Sequence, residues 1–275
     1  MTYKKLNLLI LFLAMTFFAK GQDNIMVNYT MIYKKDSTQQ NRTRKDFVLL
    51  TSPSSKSSVY LSYDKYKYDS IKVANGADEL HPSKNFDFEF MIKKNYNSNS
   101  ISKFEKQLNQ LFVIDLEPEF KWQITEDKKL IDIYSVQKAI LNYKGRVWEA
   151  WFTNEIPILD GPYIFSGLPG LILEMKDDKD NFLFILTNIK KGYTDSSPIM
   201  SLKPIPTTLT QLKKVRLDYY NDPFREMKSG NTNVTWTDEN GKKIQPNYRE
   251  LTKNERDALI KFNNPVELSD AIIYK

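Results

Sequence analysis

Three groupings of carboxylates are the first residues in this chain whose type and spacing suggest chemistry. Asp115, Glu117 and Glu119 stand within five residues, Asp177, Asp178 and Asp180 crowd one polar run, and Glu155 and Asp160 flank a stretch dense in turn formers. Two carboxyls can act as acid and base across a glycosidic bond only where the fold sets them on opposing sides of it, which spacing along a chain does not do. The run Asp177 to Asp180 lacks the Gly and the distal Glu of a calcium loop at their offsets and is read as a hairpin turn. Asp160 is read as an acceptor for nearby backbone amides. Nucleophilic chemistry has less to work with: no Gly-x-Ser-x-Gly occurs, and Ser166 precedes Gly167 without the rest of that pattern. His81 is the single histidine. A His-rich metal site is therefore excluded, and beside Pro82 this residue reads as a solvated loop side chain. No catalytic residue, metal ligand or cofactor is assigned.

Aromatic side chains offer a second kind of chemistry, the binding of apolar matter. In the strand-like run Arg146 to Phe152, Trp148, Ala150 and Phe152 fall on one face, and Val147, Glu149 and Trp151 on the other. A Trp on each face implies a sheet covered on both sides. Both rings belong to a core, or one of them lines a stacking platform or apolar cleft. Tyr163 and Phe165 lie in a short apolar excursion too hydrophobic for an exposed loop tip. Trp148, Trp151, Tyr163 and Phe165 are therefore the candidate contacts for a ligand or partner.

Turn residues punctuate this same region. Gly161 and Pro162 signal one reversal. Leu168-Pro169-Gly170-Leu171 fits a type II turn, with Pro169 pre-setting φ and Gly170 free to take a positive one. Gly161, Pro162, Gly167, Pro169 and Gly170 are read as structural, and no Lys-Ser or Lys-Thr follows Gly170 to make a phosphate loop. The run AWFTNEIPILDGPYIFSGLPGLILEMKD resembles the GLPGLI family of exported proteins from Bacteroidetes-type bacteria, whose name is Gly167 to Ile172 as it stands here. The resemblance extends over about Ile131 to Ile189, and again at Lys261 to Leu268. Val136 stands before Gln137-Lys138-Ala139 where members often carry Cys, so no Cys-dependent role carries over. The resemblance implies export and a β-rich fold, and it brings no catalytic residues.

The N-terminus agrees with export. Lys4 and Lys5, the apolar run Leu8 to Phe18, and Ala19-Lys20-Gly21 form a signal peptide over residues 1–21, cut after Gly21. That run is too short to span a bilayer, which takes about 20 residues. Residues 22–275 are then one β-rich domain, periplasmic or secreted. With Lys4, Lys5 and Lys20 gone, 37 basic residues face 34 acidic ones, a charge of +3. Lysines scattered among Asp, Asn and Ser make no basic face, so nucleic acid is not an expected partner. The chain has no Cys, which excludes lipidation at Cys and disulfide staples, so stability must come from a core.

Alternating apolar residues place strands at Ile25 to Tyr33, Phe47 to Thr51, Val59 to Ser62 and Phe86 to Ile92. Phe120 to Ile124 reads as a short strand, Thr125 to Lys129 as a turn and Leu130 to Tyr143 as a long strand. Lys144-Gly145 then turns the chain into Arg146 to Phe152, and Leu171 to Met175 and Phe182 to Ile189 form a hairpin. Tyr63, Tyr66, Tyr68 and Ile71 give a short helix or irregular segment. Thr207 or Thr208 caps a helix carrying Leu209, Leu212, Val215 and Tyr219, and Glu255 to Phe262 forms a last one. The expected fold is mainly β, a curved antiparallel sheet like the half-barrel of lipoprotein carriers, covered by one or two helices. The expected function is a non-catalytic periplasmic binding module for an apolar or lipid-like molecule. The alternative is an adaptor docking on an outer-membrane protein through Ile158 to Leu168, and an enzyme of unrecognised type comes third.

Overall fold

The computed structural model describes residues 24–52, 56–74, 90–107, 110–193, 203–230, 235–237 and 239–275. The expected signal peptide, His81 and the strand start at Phe86 lie outside the described residues. Twelve strands are formed: β1 Ile25–Tyr33, β2 Thr43–Ser52, β3 Ser57–Ser62, β4 Phe90–Asn95, β5 Ser100–Gln107, β6 Gln110–Leu116, β7 Gln123–Ile131, β8 Tyr134–Tyr143, β9 Arg146–Thr153, β10 Leu171–Asp177, β11 Phe182–Lys191 and β12 Ile205–Pro206. Four α-helices accompany them among the described residues: α1 Tyr63–Ala74, α2 Leu209–Asn221, α3 Arg225–Lys228 and α4 Tyr248–Lys261.

The strands make one sheet in the order β12-β6-β5-β4-β3-β2-β1-β11-β10-β9-β8-β7. Two meanders thus run outward from the central β1–β11 pair. Every pairing is antiparallel except the two-residue parallel contact of β12 with β6. The sheet is mixed only in that detail, and it stays open rather than closing into a barrel.

Alternation along each strand makes an inner face that carries the main core. Tyr29, Phe47, Tyr60 and Ile92 from one wing and Leu141, Trp148, Phe152 and Phe184 from the other belong to a single buried cluster. Phe47 and Tyr60 stack at 5.0 Å, and Trp148 is fully buried. An aromatic of this size removes roughly 150–250 Å² from water, worth several kcal/mol per ring as an upper bound. On the outer face, Tyr63 and Tyr66 of α1 cover Val48, Leu50, Leu61, Met91 and Phe104. Leu212 of α2, whose N-terminus carries a capping box of Thr208 and Gln211, covers Phe112 and Ile114.

One hairpin sits where the sequence did not put it. Thr125 to Lys129 lies inside β7, and the reversal falls at Asp132 (φ +53°) and Ile133, between β7 and β8. The register of β7 against β8 slips between Ile124 and Lys128, so the polar run is a bulge on an edge strand. Charged residues and bulges are what a free edge tolerates and a central strand does not.

Candidate functional site

Between β9 and β10 the chain leaves the sheet and comes back across its inner face. This returning segment, Ile156 to Leu168, buries Tyr163, Ile164, Phe165 and Leu168. Phe165 lies 4.9 Å from Trp148 and 5.9 Å from Phe120, while Tyr163 meets Phe90 edge-on at 5.1 Å on the opposite wing. Trp122 Nε1 donates to Ser166 O at 2.9 Å. The sheet therefore wraps around a piece of its own chain. Of the four candidate contacts, Trp148, Tyr163 and Phe165 come together here, all within the core.

Trp151 is brought elsewhere. It points outward, half-buried, with Lys129 Nζ 4.3 Å and Lys138 Nζ 5.9 Å from its ring centroid and its Nε1 donating to Glu149. Lys129 also pairs with Glu174, and Lys138 with Glu149. The outer cover of this Trp is a pair of lysines whose ammonium groups lie over the ring and are neutralised by Glu174 and Glu149.

The turns at either end of the segment are built differently from a type II reversal. Gly170 N donates to Leu168 O at 2.8 Å, closing a three-residue turn around Pro169, and Leu171 N donates instead to Ile156 O. Gly170 has φ +152°, and a Cβ there would meet Thr153 O at 2.0 Å, so the glycine is required by close approach of two backbones. Gly161 is needed for a similar reason, since a Cβ would meet Ile172 Cδ1 at 2.6 Å. Phe165 N donates to Pro162 O, and the turn so closed holds Tyr163 at φ +54°. For a bulky residue that conformation is strained and persists only when its surroundings enforce it.

Two buried polar knots do the enforcing, and a third anchors the C-terminal run. Asp160, wholly buried, accepts from Lys94 Nζ at 2.5 Å, Ser58 Oγ at 2.5 Å, Tyr96 OH at 2.7 Å and Gly161 N at 2.7 Å. Lys94 Nζ also donates to Gly161 O and Phe165 O, which uses all three of its protons. Burial pulls its pKa below the ordinary lysine value, against the pull of Asp160. In the second knot Lys103 Nζ donates to Tyr163 OH at 2.6 Å and Tyr163 OH donates to Glu267 Oε1 at 2.5 Å. Glu105 joins through Lys103 at 3.0 Å and through Arg216. Burial disfavours the Lys103 ammonium, but Glu267, Tyr163 and Glu105 outweigh it and hold its pKa well above the usual value. In the third, Arg146 donates to Asp177 at 2.8 Å and to Asn264 Oδ1, Pro265 O and Val266 O, and Asp177 accepts from Asn181 N and Phe182 N. The second and third knots fix the C-terminal run Asn264 to Glu267.

Two of the carboxylates singled out first, Asp160 and Asp177, belong to these knots. Asp160 does accept an amide, from Gly161, but its Lys94, Ser58 and Tyr96 partners come from strands far off in sequence. Asp177 works as a turn acceptor and an ion-pair partner, while Asp115 binds Ser102 Oγ at 2.6 Å and Glu155 accepts from Ser135 N. In each knot the charges are neutralised by the chain's own groups, which is the arrangement of a structural clamp.

Residues 142–174 match a family described as "Protein of unknown function (Porph_ging)", so the matched stretch runs from the end of β8 through the returning segment into β10. No curated protein matches the chain. Among solved structures, PNGF-II in a C2 crystal form is similar with a TM-score of 0.51 and 17% identity, covering 70% of this chain and 32% of that one. PNGF-II in a P21 form gives 0.50 and 18%, covering 70% and 33%. The chain spans about a third of the length of those structures, and the likeness is one of fold. Among the described residues no helix is long and apolar enough to cross a membrane.

Proposed function

We propose that the chain is an exported, non-catalytic interaction module of the GLPGLI group that docks on an outer-membrane protein. The observation that carries this reading is the free-edge hairpin of β7 and β8: Leu130 is 72% exposed and Ile133 74%, with Ile124 at 47% on the same edge strand. Meanwhile the apolar inner face is filled by the chain's own segment. The contact expected at Ile158 to Leu168 is mostly inside, apart from the exposed Leu159 and Gly167, so the docking surface moves to the hairpin tip. Exposed apolar side chains at an open sheet edge suit strand addition or the burial of a small apolar patch by a partner. Photocrosslinking residues placed at 130 and 133 in cells test this. A discrete crosslinked envelope protein is expected, lost from a probe at 130 when Ile133 is Asp and from a probe at 133 when Leu130 is Asp, and a chain that stays uncrosslinked at both positions refutes it.

The second reading is a carrier of an apolar or lipid-like molecule held by Trp148, Tyr163 and Phe165. It is favoured by Trp148 Nε1, buried with no hydrogen-bond partner among the described residues, since such donors are rare and costly. The ring lies against the returning segment, where a ligand would sit if that segment moved. Native mass spectrometry of the mature chain from its own periplasm separates the readings: a stoichiometric lipid supports the carrier, and an empty chain removes it.

A further inference from the structure

We infer that the groove between α4 and the ends of α2 and α3 binds the phosphate group of a small phosphate monoester. The cavity there holds about 440 Å³, within the usual range for small-molecule sites, and is lined by Arg249, Lys253, Arg256, Lys228, Tyr220 and Tyr248 among others. On α4, Arg249, Lys253 and Arg256 follow at i, i+4 and i+7, so three cations stand on one stripe of the helix, where like charges destabilise it. Two of the four lining cations are committed to the fold. Arg256 donates from Nε to Tyr220 O at 2.8 Å and from Nη2 to Asn221 O, with its guanidinium 5.2 Å from the Tyr220 ring, and Lys228 pairs with Asp222.

The other two are less committed. Lys253 is paired with Asp257, which also lines the groove, but at 3.9 Å and with both side chains exposed, 77% and 51%, and Arg249 makes no ion pair among the described residues. An Arg fork beside a Lys is the pairing that recognises a phosphate oxyanion, and the groove's four cations outnumber its one lining carboxylate, Asp257, which leaves a positive surplus for a dianion. Tyr248, half-buried next to these cations, offers a ring to an organic substituent on the ester, while Tyr220 is buried against Tyr274 and Arg256. The same group could be carried by a soluble metabolite or by an anionic lipid headgroup.

Calorimetric titration of the mature chain with phenyl phosphate, and flotation with vesicles of phosphatidic acid against phosphatidylcholine, test the inference and tell the two sources apart. Saturable binding of phenyl phosphate but not of phenol is expected, at least about tenfold weaker in Arg249→Ala/Lys253→Ala, as the loss of charge-assisted bonds implies. Retention on phosphatidic acid vesicles alone, lost in the same variant, supports the site with a membrane source. Lys190→Ala/Lys191→Ala on β11 removes equal charge elsewhere and should change neither result. Absence of binding in both arms, or equal weakening by the two variants, overturns the inference. Both pairs lie on exposed positions, and unchanged circular dichroism confirms that each variant is folded.

Discussion

Replacing Asp160 by Ala tests whether the returning segment is held by its polar knot or by apolar packing alone. The substitution leaves the Lys94 ammonium, 3% exposed, with the carbonyls of Gly161 and Phe165 but no counter-charge, and takes the acceptor from Ser58 and Tyr96. Breaking a buried pair by removing one partner costs about 3–5 kcal/mol, most of it the penalty of the charge left behind. Against a total stability on the order of 5–15 kcal/mol that is a large fraction. The expected loss is about 4 kcal/mol, or a fall in Tm of roughly 8–16 °C for a chain of this size. Urea unfolding at pH 7, followed by Trp fluorescence, should show a lower midpoint with an unchanged slope. The pair itself is isolated by the cycle with Lys94→Met. In the double variant Asp160→Ala/Lys94→Met no charge is stranded, so it should recover at least about 1 kcal/mol relative to Asp160→Ala alone. A cost below about 1 kcal/mol for the single variant, or a double variant worse than the sum of the singles, refutes the assignment of Asp160 as the clamp.

Gly170→Ala places a Cβ against Thr153 O, a backbone atom that cannot swing away, and should cost at least about 2 kcal/mol; an unchanged melting temperature would remove the close-approach argument. Tyr163→Phe deletes the hydroxyl that bridges Lys103 and Glu267 and should cost about 1–3 kcal/mol in urea melts, with a near-neutral result showing that their direct contact at 3.3 Å suffices. For pH, burial raises the Glu105 carboxyl, but Lys103 and Arg216 outweigh it and hold its pKa below the ordinary value. Its stabilisation is therefore present above the unfolded pKa near 4.3 and lost as pH falls through the lower folded value. Lys103, raised in the fold, contributes below its unfolded pKa near 10.4 and loses that contribution as pH climbs further. Thermal melts should decline at both extremes, and Glu105→Gln should flatten the acid decline; an acid limb of unchanged steepness would place its cause elsewhere.

Strand positions were legible because alternation is a local property: Ile25–Tyr33 appears as the pattern drew it, and the Thr208 cap starts α2 where expected. The β7 bulge was not legible, since a Thr-Glu-Asp-Lys-Lys run has turn composition and becomes strand only because an edge leaves one side of it in water. The three-residue turn at Pro169 was hidden for a different reason. Whether Leu171 N closes a type II turn or reaches Ile156 O depends on where Ile156 lies, which is a tertiary fact.

The buried knots were missed although each left a trace in the sequence. In Phe90-x-Ile92-x-Lys94 and in Ile101-x-Lys103, a lysine occupies the next inward slot of an apolar face, and in Arg146-x-Trp148-x-Ala150 an arginine does. Ser58 stands in the same way before Tyr60. An extended strand gives such a residue no choice of side, because successive side chains alternate strictly. A charge in an inward slot must then either end the core there or meet a partner inside it, as burial without one is too costly. In this chain some partners stand on the sheet itself, Asp177 for Arg146 and Glu105 for Lys103, and the others come from the returning segment and the C-terminal run, Asp160 for Lys94, Tyr163 and Glu267 for Lys103, Asn264 for Arg146. The inward cations thus specify which segments must cross the inner face, and the filling of that face follows from them as much as from its aromatic residues.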